Sequence, residues 1–451
     1  MSTVAESSRS WRLMALAGIG LVLYLGYVTA GLALGFTYVS AGVAMLGTLP
    51  RGQSIDLSGT APLMASLPIL FTERAPAINP LDLFPAWQGT DRINVVLLGM
   101  DQRPEERNAG VPTRTDTMML LSIDPVNKSA AMISFPRDLW VQVPGLGEER
   151  INAAYRFGEL RASGGGGAAM VARTIEQNFG VPAPYYAAVD FGGFQELVNT
   201  LGGIAIDVPR PVKDDEYPTE DYGLERVYFA PGPQVMDGAS ALKYARTRHA
   251  DSDFSRMARQ QQVMLAMRDR ALRLNMLPRI PSLLDQGVRA VQTNLTPTEL
   301  LGLAKLANEV DSSALGTLVV DGQLITPYRG LGGANLLLPK RDEIRRAIQR
   351  AFTDPRLVRE GGRVEVVSNP ARAQVAQQVA DRLASEGLQV TRRASATETE
   401  STGVATFADK PRTLAVTLQT LGLGGDNVRD GEGDGAADIR VVLGPDFRLP
   451  T

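Results

Sequence analysis

Arg92-Ile93-Asn94-Val95-Val96-Leu97-Leu98-Gly99 reads as a buried strand that runs into Met100-Asp101-Gln102-Arg103. Thr113-Arg114-Thr115-Asp116 opens a second apolar run, Thr117 to Ile123, and a third run, Ala130 to Phe135, stops at Pro136-Arg137-Asp138. Short apolar runs bounded by polar and turn residues have the length of core strands. Asp124-Pro125-Val126-Asn127-Lys128 makes a turn too short for a parallel crossover, so the sheet need not be all parallel. Asp101, Asp116 and Asp138, with Arg103, Arg114 and Arg137, therefore stand at strand ends, where an α/β sheet places its ligand. Two aspartates can hold a hard cation, and arginines clamp phosphate oxygens with a two-pronged fork. The pattern suggests a phosphate-handling site.

Outward from these runs, strands alternate with helices. Ile151 to Phe157 and Ala168 to Phe179 have helical spacing, and Tyr185 to Asp190 is a short strand. Phe194 to Leu201 is a helix stopped by Gly202-Gly203, and Ile204 to Val208 returns as a strand. Gly238 to Ala245 and Phe254 to Leu274 are further helices. The fold class is α/β, a layered α/β/α domain with a mixed central sheet. A second arginine cluster follows at Tyr244-Ala245-Arg246-Thr247-Arg248 and Asp251-Ser252-Asp253-Phe254-Ser255-Arg256. Arg256 and Arg259 are three apart and share a helix face, which Asp251 or Ser252 can cap. Alone, such a face reads as a solvated one.

Composition narrows the chemistry. The chain has 451 residues, net charge −3, no cysteine and one histidine, His249. Disulfides, cysteine metal sites, thiol nucleophiles and multi-histidine metal centres are excluded. There is no basic excess for general nucleic-acid binding. Forty arginines against six lysines reads as a GC-rich genome.

Leu13 to Pro50 carries no charge, and Arg9 and Arg12 precede it. A spanning helix needs roughly 20 apolar residues, and flanking arginines favour the cytoplasm. Residues 1–12 therefore read as a cytoplasmic N-terminus and 13–36 as an uncleaved transmembrane signal-anchor. A hairpin crossing twice would leave two short arms. Residues 37–90, rich in proline, form a membrane-proximal segment and linker. The single pass puts the globular domains, beginning near Asp91, outside the cell membrane.

Seven segments occur in order. They are Asn94-Val95-Val96-Leu97-Leu98-Gly99-Met100-Asp101, Arg114-Thr115-Asp116-Thr117-Met118-Met119, Ser134-Phe135-Pro136-Arg137-Asp138, Ile151-Asn152-Ala153-Ala154-Tyr155, Val189-Asp190-Phe191-Gly192-Gly193-Phe194, Tyr244-Ala245-Arg246-Thr247-Arg248, and Asp251-Ser252-Asp253-Phe254-Ser255-Arg256-Met257-Ala258-Arg259-Gln260-Gln261. Together they resemble the LytR–CpsA–Psr family of cell-wall glycopolymer transferases, strongly from Arg92 to Met267 and more loosely to Phe352. The resemblance implies an enzyme that moves an anionic glycopolymer from a polyprenyl-pyrophosphate carrier to peptidoglycan, forming a phosphodiester. It implies Asp101 and Asp116 near a magnesium ion (Mg2+), with Asp101, Asp116 and Arg137 catalytic. It implies pyrophosphate binding by Arg114, Arg137, Arg246 and Arg248, by Arg256, Arg259 and Gln262 of a third cluster, and by Arg103. The helices at Ala168 to Phe179, Phe194 to Leu201 and Val263 to Leu274 could line an apolar groove for the lipid, and core packing explains their apolar residues as well. A lipid-pyrophosphate hydrolase or a non-catalytic lipid-linked glycan binder would keep the same arginines.

The resemblance gives His249 no role, and it reads as a surface or packing residue. Asp138 reads as a partner that orients Arg137, and Asp190 as a strand-end or helix-cap residue. The transferase-like domain spans 91–352, a linker 353–362, and a small C-terminal α/β domain 363–451. This last part resembles the small domain often attached to LytR-type proteins. It carries Ser368-Asn369-Pro370-Ala371 where that domain often has an Asn-Gly turn, and Asn369 and Pro370 start a helix. Asp430-Gly431-Glu432-Gly433-Asp434-Gly435 mimics the opening of a calcium loop, but Val441 stands where the closing carboxylate belongs, so it reads as a flexible loop.

Overall fold

The three apolar runs become β1 (Ile93–Met100), β2 (Thr115–Asp124) and β3 (Ser129–Ser134), and they pair antiparallel in succession. In the computed structural model the described residues are 84–101, 113–161, 165–219, 223–248, 252–273, 291–330, 333–395, 401–431 and 435–450. The expected anchor at 13–36, most of the segment 37–90, Arg103, His249, Asp251 and the middle of the calcium-like loop lie outside them. Among the described residues, no helix is long and apolar enough to cross a membrane.

A hairpin of β4 (Trp140–Val143) and β5 (Gly147–Arg150) follows, then α1 (Ala153–Arg161), α2 (Gly166–Phe179), β6 (Tyr185–Asp190) and α3 (Phe191–Thr200). The chain then adds β7 (Ile204–Val208), β8 (Val212–Pro218), β9 (Leu224–Phe229), β10 (Gly232–Met236), α4 (Gly238–Arg246) and α5 (Asp253–Ala271). It closes the domain with β11 (Val291–Thr293), α6 (Pro297–Glu309), β12 (Leu315–Val319), β13 (Ile325–Arg329), β14 (Asn335–Pro339) and α7 (Arg341–Phe352). The central sheet has the order β11-β6-β1-β2-β3-β12. β6 and β12 run parallel to their neighbours β1 and β3, and the other pairs are antiparallel, so the sheet is mixed.

Alternation along β1 gives the two faces different partners. Val96, Leu98 and Met100 pack with α2 and α7. Ile93 and Val95 pack with α6 on the other side. A separate apolar cluster holds β7 to β10 against α3, α4 and α5. Gln261 of α5 ties that layer to the sheet by donating to Ser134 Oγ at 2.9 Å and to Leu318 O at 3.0 Å.

The C-terminal part forms β15 (Arg363–Ser368), α9 (Ala373–Ser385), β16 (Gln389–Ala394), β17 (Gly403–Thr406), α10 (Pro411–Leu421), β18 (Val428–Asp430) and β19 (Ile439–Leu443). Its mixed sheet has the order β16-β15-β19-β17-β18 and its own core. Asn369 caps a short 3-10 turn, Pro370–Arg372, ahead of α9. The expected linker at 353–362 is instead occupied by a helix, α8 (Pro355–Glu360), with Asp354 at its N-cap and Leu357 in the C-terminal core. Pro at the first helical position and a left-handed Gly361 at the end supply the start and stop.

Candidate active site

The antiparallel ladder makes the strand-end residues neighbours. Met100 pairs with Thr115, so the end of β1 lies beside the start of β2. Phe135 N donates to Met118 O at 3.0 Å, which brings the end of β3 to the same edge. A register shift at Gly99/Met100 bends β1 there. A Cβ on Gly99 would sit 2.9 Å from Thr117 Cβ, so the close approach needs glycine.

Asp101, Arg114, Asp116, Arg137, Asp138 and Arg248 line one open polar pocket. Arg137 Nη1 donates to Asp116 Oδ1 at 2.9 Å, and its Nε lies 3.5 Å from Asp138 Oδ2, the orienting contact expected of Asp138. Burial alone would lower the Arg137 pKa; Asp116, with Asp138 and Asp253, outweighs it and raises it above the ordinary value. Arg137 Nε is buried and, among the described residues, makes no hydrogen bond beyond this ion-pair contact with Asp138.

A connected pocket brings Arg246, Arg248 and Arg256 to Asp101 and Asp116. Arg246 lies 3.8 Å from Asp101, donates to Tyr217 Oη at 3.2 Å, and stacks 3.9 Å over the Phe191 ring. Burial pushes the Tyr217 phenol up, against the opposing pull of Arg246. Arg248 is fixed through its backbone N–H to Asp214 at 3.1 Å and lies 3.7 Å from Asp253. Arg256 is buried, pairs with Asp253 at 3.3 Å, and its Nε makes no hydrogen bond among the described residues; burial lowers its pKa, with Asp253 opposing. Ser252 caps α5, accepting from Ser255 N at 3.2 Å, and Asp190 caps α3, accepting from Gly193 N at 2.8 Å.

Two expected ligands point elsewhere. Arg259 Nε donates to Tyr244 O at 3.1 Å and its Nη2 to Thr247 O, so it ties α5 to the end of α4. Gln262 accepts from Tyr244 Oη at 2.8 Å and donates to Asp207 O at 2.6 Å. Gln260, on the same helix, lines the pocket instead. Tyr217 and Phe191 also went unpredicted; one comes from a hairpin without an apolar run, and the other stands as a single aromatic beside a helix cap.

An apolar groove of about 190 Å³ adjoins the arginines. Its walls include Leu97, Met119 and Val189 of the sheet, Phe194 and Leu197 of α3, and Met264 and Met267 of α5. Two of the three helices expected to line a groove do so. α2 does not, because it packs on the opposite sheet face with Val96 and Leu98. Gly99, Thr117, Phe191, Arg246 and Gln260 border both the groove and the charged pocket.

Magnesium takes one or two protein carboxylates and completes its shell with phosphate oxygens and water. Asp101 and Asp116 line one pocket and fit that donor set. Among the described residues no three carboxylate, histidine or cysteine side chains converge as a protein-only cage.

The LytR_cpsA_psr family profile matches residues 72–350, more than half of the chain. The chain belongs to the LytR–CpsA–Psr family. A second profile, LytR cell envelope-related transcriptional attenuator, matches residues 362–447. Among curated members of the LytR–CpsA–Psr family, the polyisoprenyl-teichoic acid–peptidoglycan teichoic acid transferase TagV of Bacillus subtilis (strain 168) is 31% identical over 234 residues, covering 51% of this chain and 56% of TagV. TagT of the same organism, named for the same transfer, is 30% identical over 215 residues, covering 48% of this chain and 64% of TagT. The chain thus spans a little over half to under two thirds of these relatives. The crystal structure of B. subtilis TagV aligns with a TM-score of 0.48 at 27% identity, covering 58% of this chain and 98% of that one.

Proposed function

We propose that this chain transfers an anionic glycopolymer from a polyprenyl-pyrophosphate carrier to a peptidoglycan hydroxyl, forming a phosphodiester. The observation that carries the reading is the junction of groove and charge: an apolar channel opens, across Gly99, Thr117 and Phe191, onto Arg246, Arg248 and Arg256. A lipid pyrophosphate has that same polarity, an apolar chain joined to a compact polyanion. The names of the relatives, which act on polyisoprenyl-linked teichoic acid and peptidoglycan, support the reading.

In this reading Arg114, Arg137, Arg246, Arg248 and Arg256 hold the phosphate oxygens. Phosphoryl transfer is helped mainly by positioning and charge neutralisation. The acceptor oxygen bonds to the glycan-side phosphorus, the bond to the bridging oxygen breaks, polyprenyl monophosphate leaves, and the hydroxyl proton passes to a carboxylate of the site. Asp101 and Asp116 would hold Mg2+, which when bound supplies positive charge against the phosphate oxygens. Residues 13–36 anchor the chain in the cell membrane with its globular domains outside.

Two measurements in cells test this. Deleting the protein should remove wall-linked glycopolymer while its lipid-linked form persists; unchanged wall-linked polymer in a strain lacking every related gene contradicts transfer. Protease added to intact, wall-stripped cells should remove the C-terminal domains and leave a short anchor. Protection until lysis would contradict the topology.

A further inference from the structure

Asn152 belongs to the Ile151-Asn152-Ala153-Ala154-Tyr155 motif, to which the transfer chemistry gives no role. It is 5% exposed, and its Oδ1 is buried without a hydrogen-bond partner among the described residues. An acceptor left open among the described residues can take a hydrogen bond from a ligand or a water in the pocket. Asn152 borders the polar pocket of Asp116 and Arg137 and also an adjoining hollow, and Arg114 and Arg150 border both. Trp140 of β4 and Tyr328 of β13 supply aromatic surface to the hollow, and Glu149 lines it too. The two hairpins are fastened together: Arg150 donates to Asn335 O at 3.2 Å, and Leu337 N to Asp138 O at 3.2 Å.

We propose that this hollow is a pyranose-binding subsite, an inference that rests on the transferase reading above. Aromatic surface covers the apolar face of a sugar ring, while Glu149, Arg150 and Asn152 offer acceptors and donors to its hydroxyls. The cleft runs in a fixed order. The apolar groove shares residues with the arginine pocket, the arginine pocket shares residues with the Asp116–Arg137 pocket, and that pocket shares residues with the hollow. The groove and the hollow share none. Lipid, pyrophosphate and sugar follow each other in this sequence. In-line displacement also brings the acceptor hydroxyl from the side opposite the departing lipid phosphate. The ring in the hollow is thus the first sugar of the donor or a ring of the acceptor strand, recognised by the same chemistry.

The test uses the full chain in detergent and three probes: undecaprenyl pyrophosphate, undecaprenyl-pyrophosphoryl N-acetylglucosamine, and the N-acetylglucosamine–N-acetylmuramic acid disaccharide. Tyr328 is 53% exposed, so Tyr328→Ala leaves the core intact. It should leave undecaprenyl pyrophosphate affinity unchanged and weaken a saccharide probe about fivefold. Asn152→Ala is the second variant and should weaken the same probe. Loss confined to the sugar-bearing lipid assigns the hollow to the donor; loss confined to the disaccharide assigns it to the acceptor. Saccharide affinities unchanged in both variants, with undecaprenyl pyrophosphate still bound, overturn the subsite and leave the transferase reading standing. Weakened saccharide binding in a protein whose wild type does not bind undecaprenyl pyrophosphate supports the subsite and overturns that reading.

Discussion

Arg137 is held by Asp116 at 2.9 Å on one edge and faces Asp138 at 3.5 Å on another. A charge-assisted hydrogen bond contributes about 1.5–3 kcal/mol, so Arg137→Ala and Arg246→Ala should each weaken lipid-pyrophosphate binding by about tenfold or more. Lysine should rescue partly, because it lacks the planar fork. Unchanged affinity in both alanine variants at matched salt removes the clamp. Arg259→Ala should behave differently. It strands the carbonyls of Tyr244 and Thr247, so it should lower the melting temperature at a cost of about 1–3 kcal/mol. Asp101 is half-exposed and contributes little to the core. Asp101→Asn should therefore melt normally, transfer poorly and need more magnesium; a wild-type rate with unchanged magnesium dependence takes Asp101 out of the site. The strand-end residues were legible because an antiparallel ladder brings consecutive strand ends together by register alone. Arg259 and Gln262 were not, because helical spacing groups residues by face without saying whether a face meets the cleft or a neighbouring helix.

At the scale of elements, α3 and α4 bound the apolar groove at a contact that only glycine allows. A Cβ on Gly238 would come within 2.3 Å of Gln195 O, a backbone atom that cannot move alone. Gly238→Ala should force the two helices apart, destabilise the fold by about 1–3 kcal/mol, and weaken binding of long polyprenyl chains more than of short ones. Thermal melts and a chain-length series check it; equal loss for all lengths would place the damage away from the groove. The long helices and central strands were readable from periodicity. The hairpin β8–β9 was not. Its buried set, Val212, Asp214, Tyr217, Val227 and Phe229, is interrupted by an irregular register between Asp214 and Tyr217, which breaks the alternation a strand displays.

Across the whole molecule, the two α/β parts meet through a polar joint rather than an open tether. Asp354 is 3% exposed and receives Arg356 at 2.8 Å and Arg412 of α10 at 2.7 Å; Arg412 also reaches Asn127 O, and Glu386 accepts from Asn127 at 3.0 Å. Burial would raise the Asp354 pKa, but the hydrogen bonds from Arg356 and the charges of Arg412 and Arg356 outweigh it and hold the carboxyl below its ordinary range. A folded-state value below the unfolded one gives stability that is present at neutral pH and fades as pH falls below about 4. Acid should therefore loosen the C-terminal part, read by limited proteolysis between Thr353 and Gly362, and Asp354→Asn should cleave faster at neutral pH with a flatter acid response. Parallel pH curves for the two proteins would remove Asp354 from the joint. This joint was illegible in sequence because its members lie far apart along the chain, and a short charged segment ending in Gly361-Gly362 resembles a linker until its carboxylate finds partners. The central claim is that groove, arginines and carboxylates act together in transfer. It is tested most directly by reconstituting the full chain with a phosphorus-labelled polyprenyl-pyrophosphate glycopolymer, magnesium and short peptidoglycan oligomers. The account predicts one labelled phosphodiester on peptidoglycan for each polyprenyl monophosphate released, lost together in Arg137→Ala. Release of polyprenyl monophosphate with the label only on free glycopolymer phosphate, or no turnover with donor bound, would contradict it.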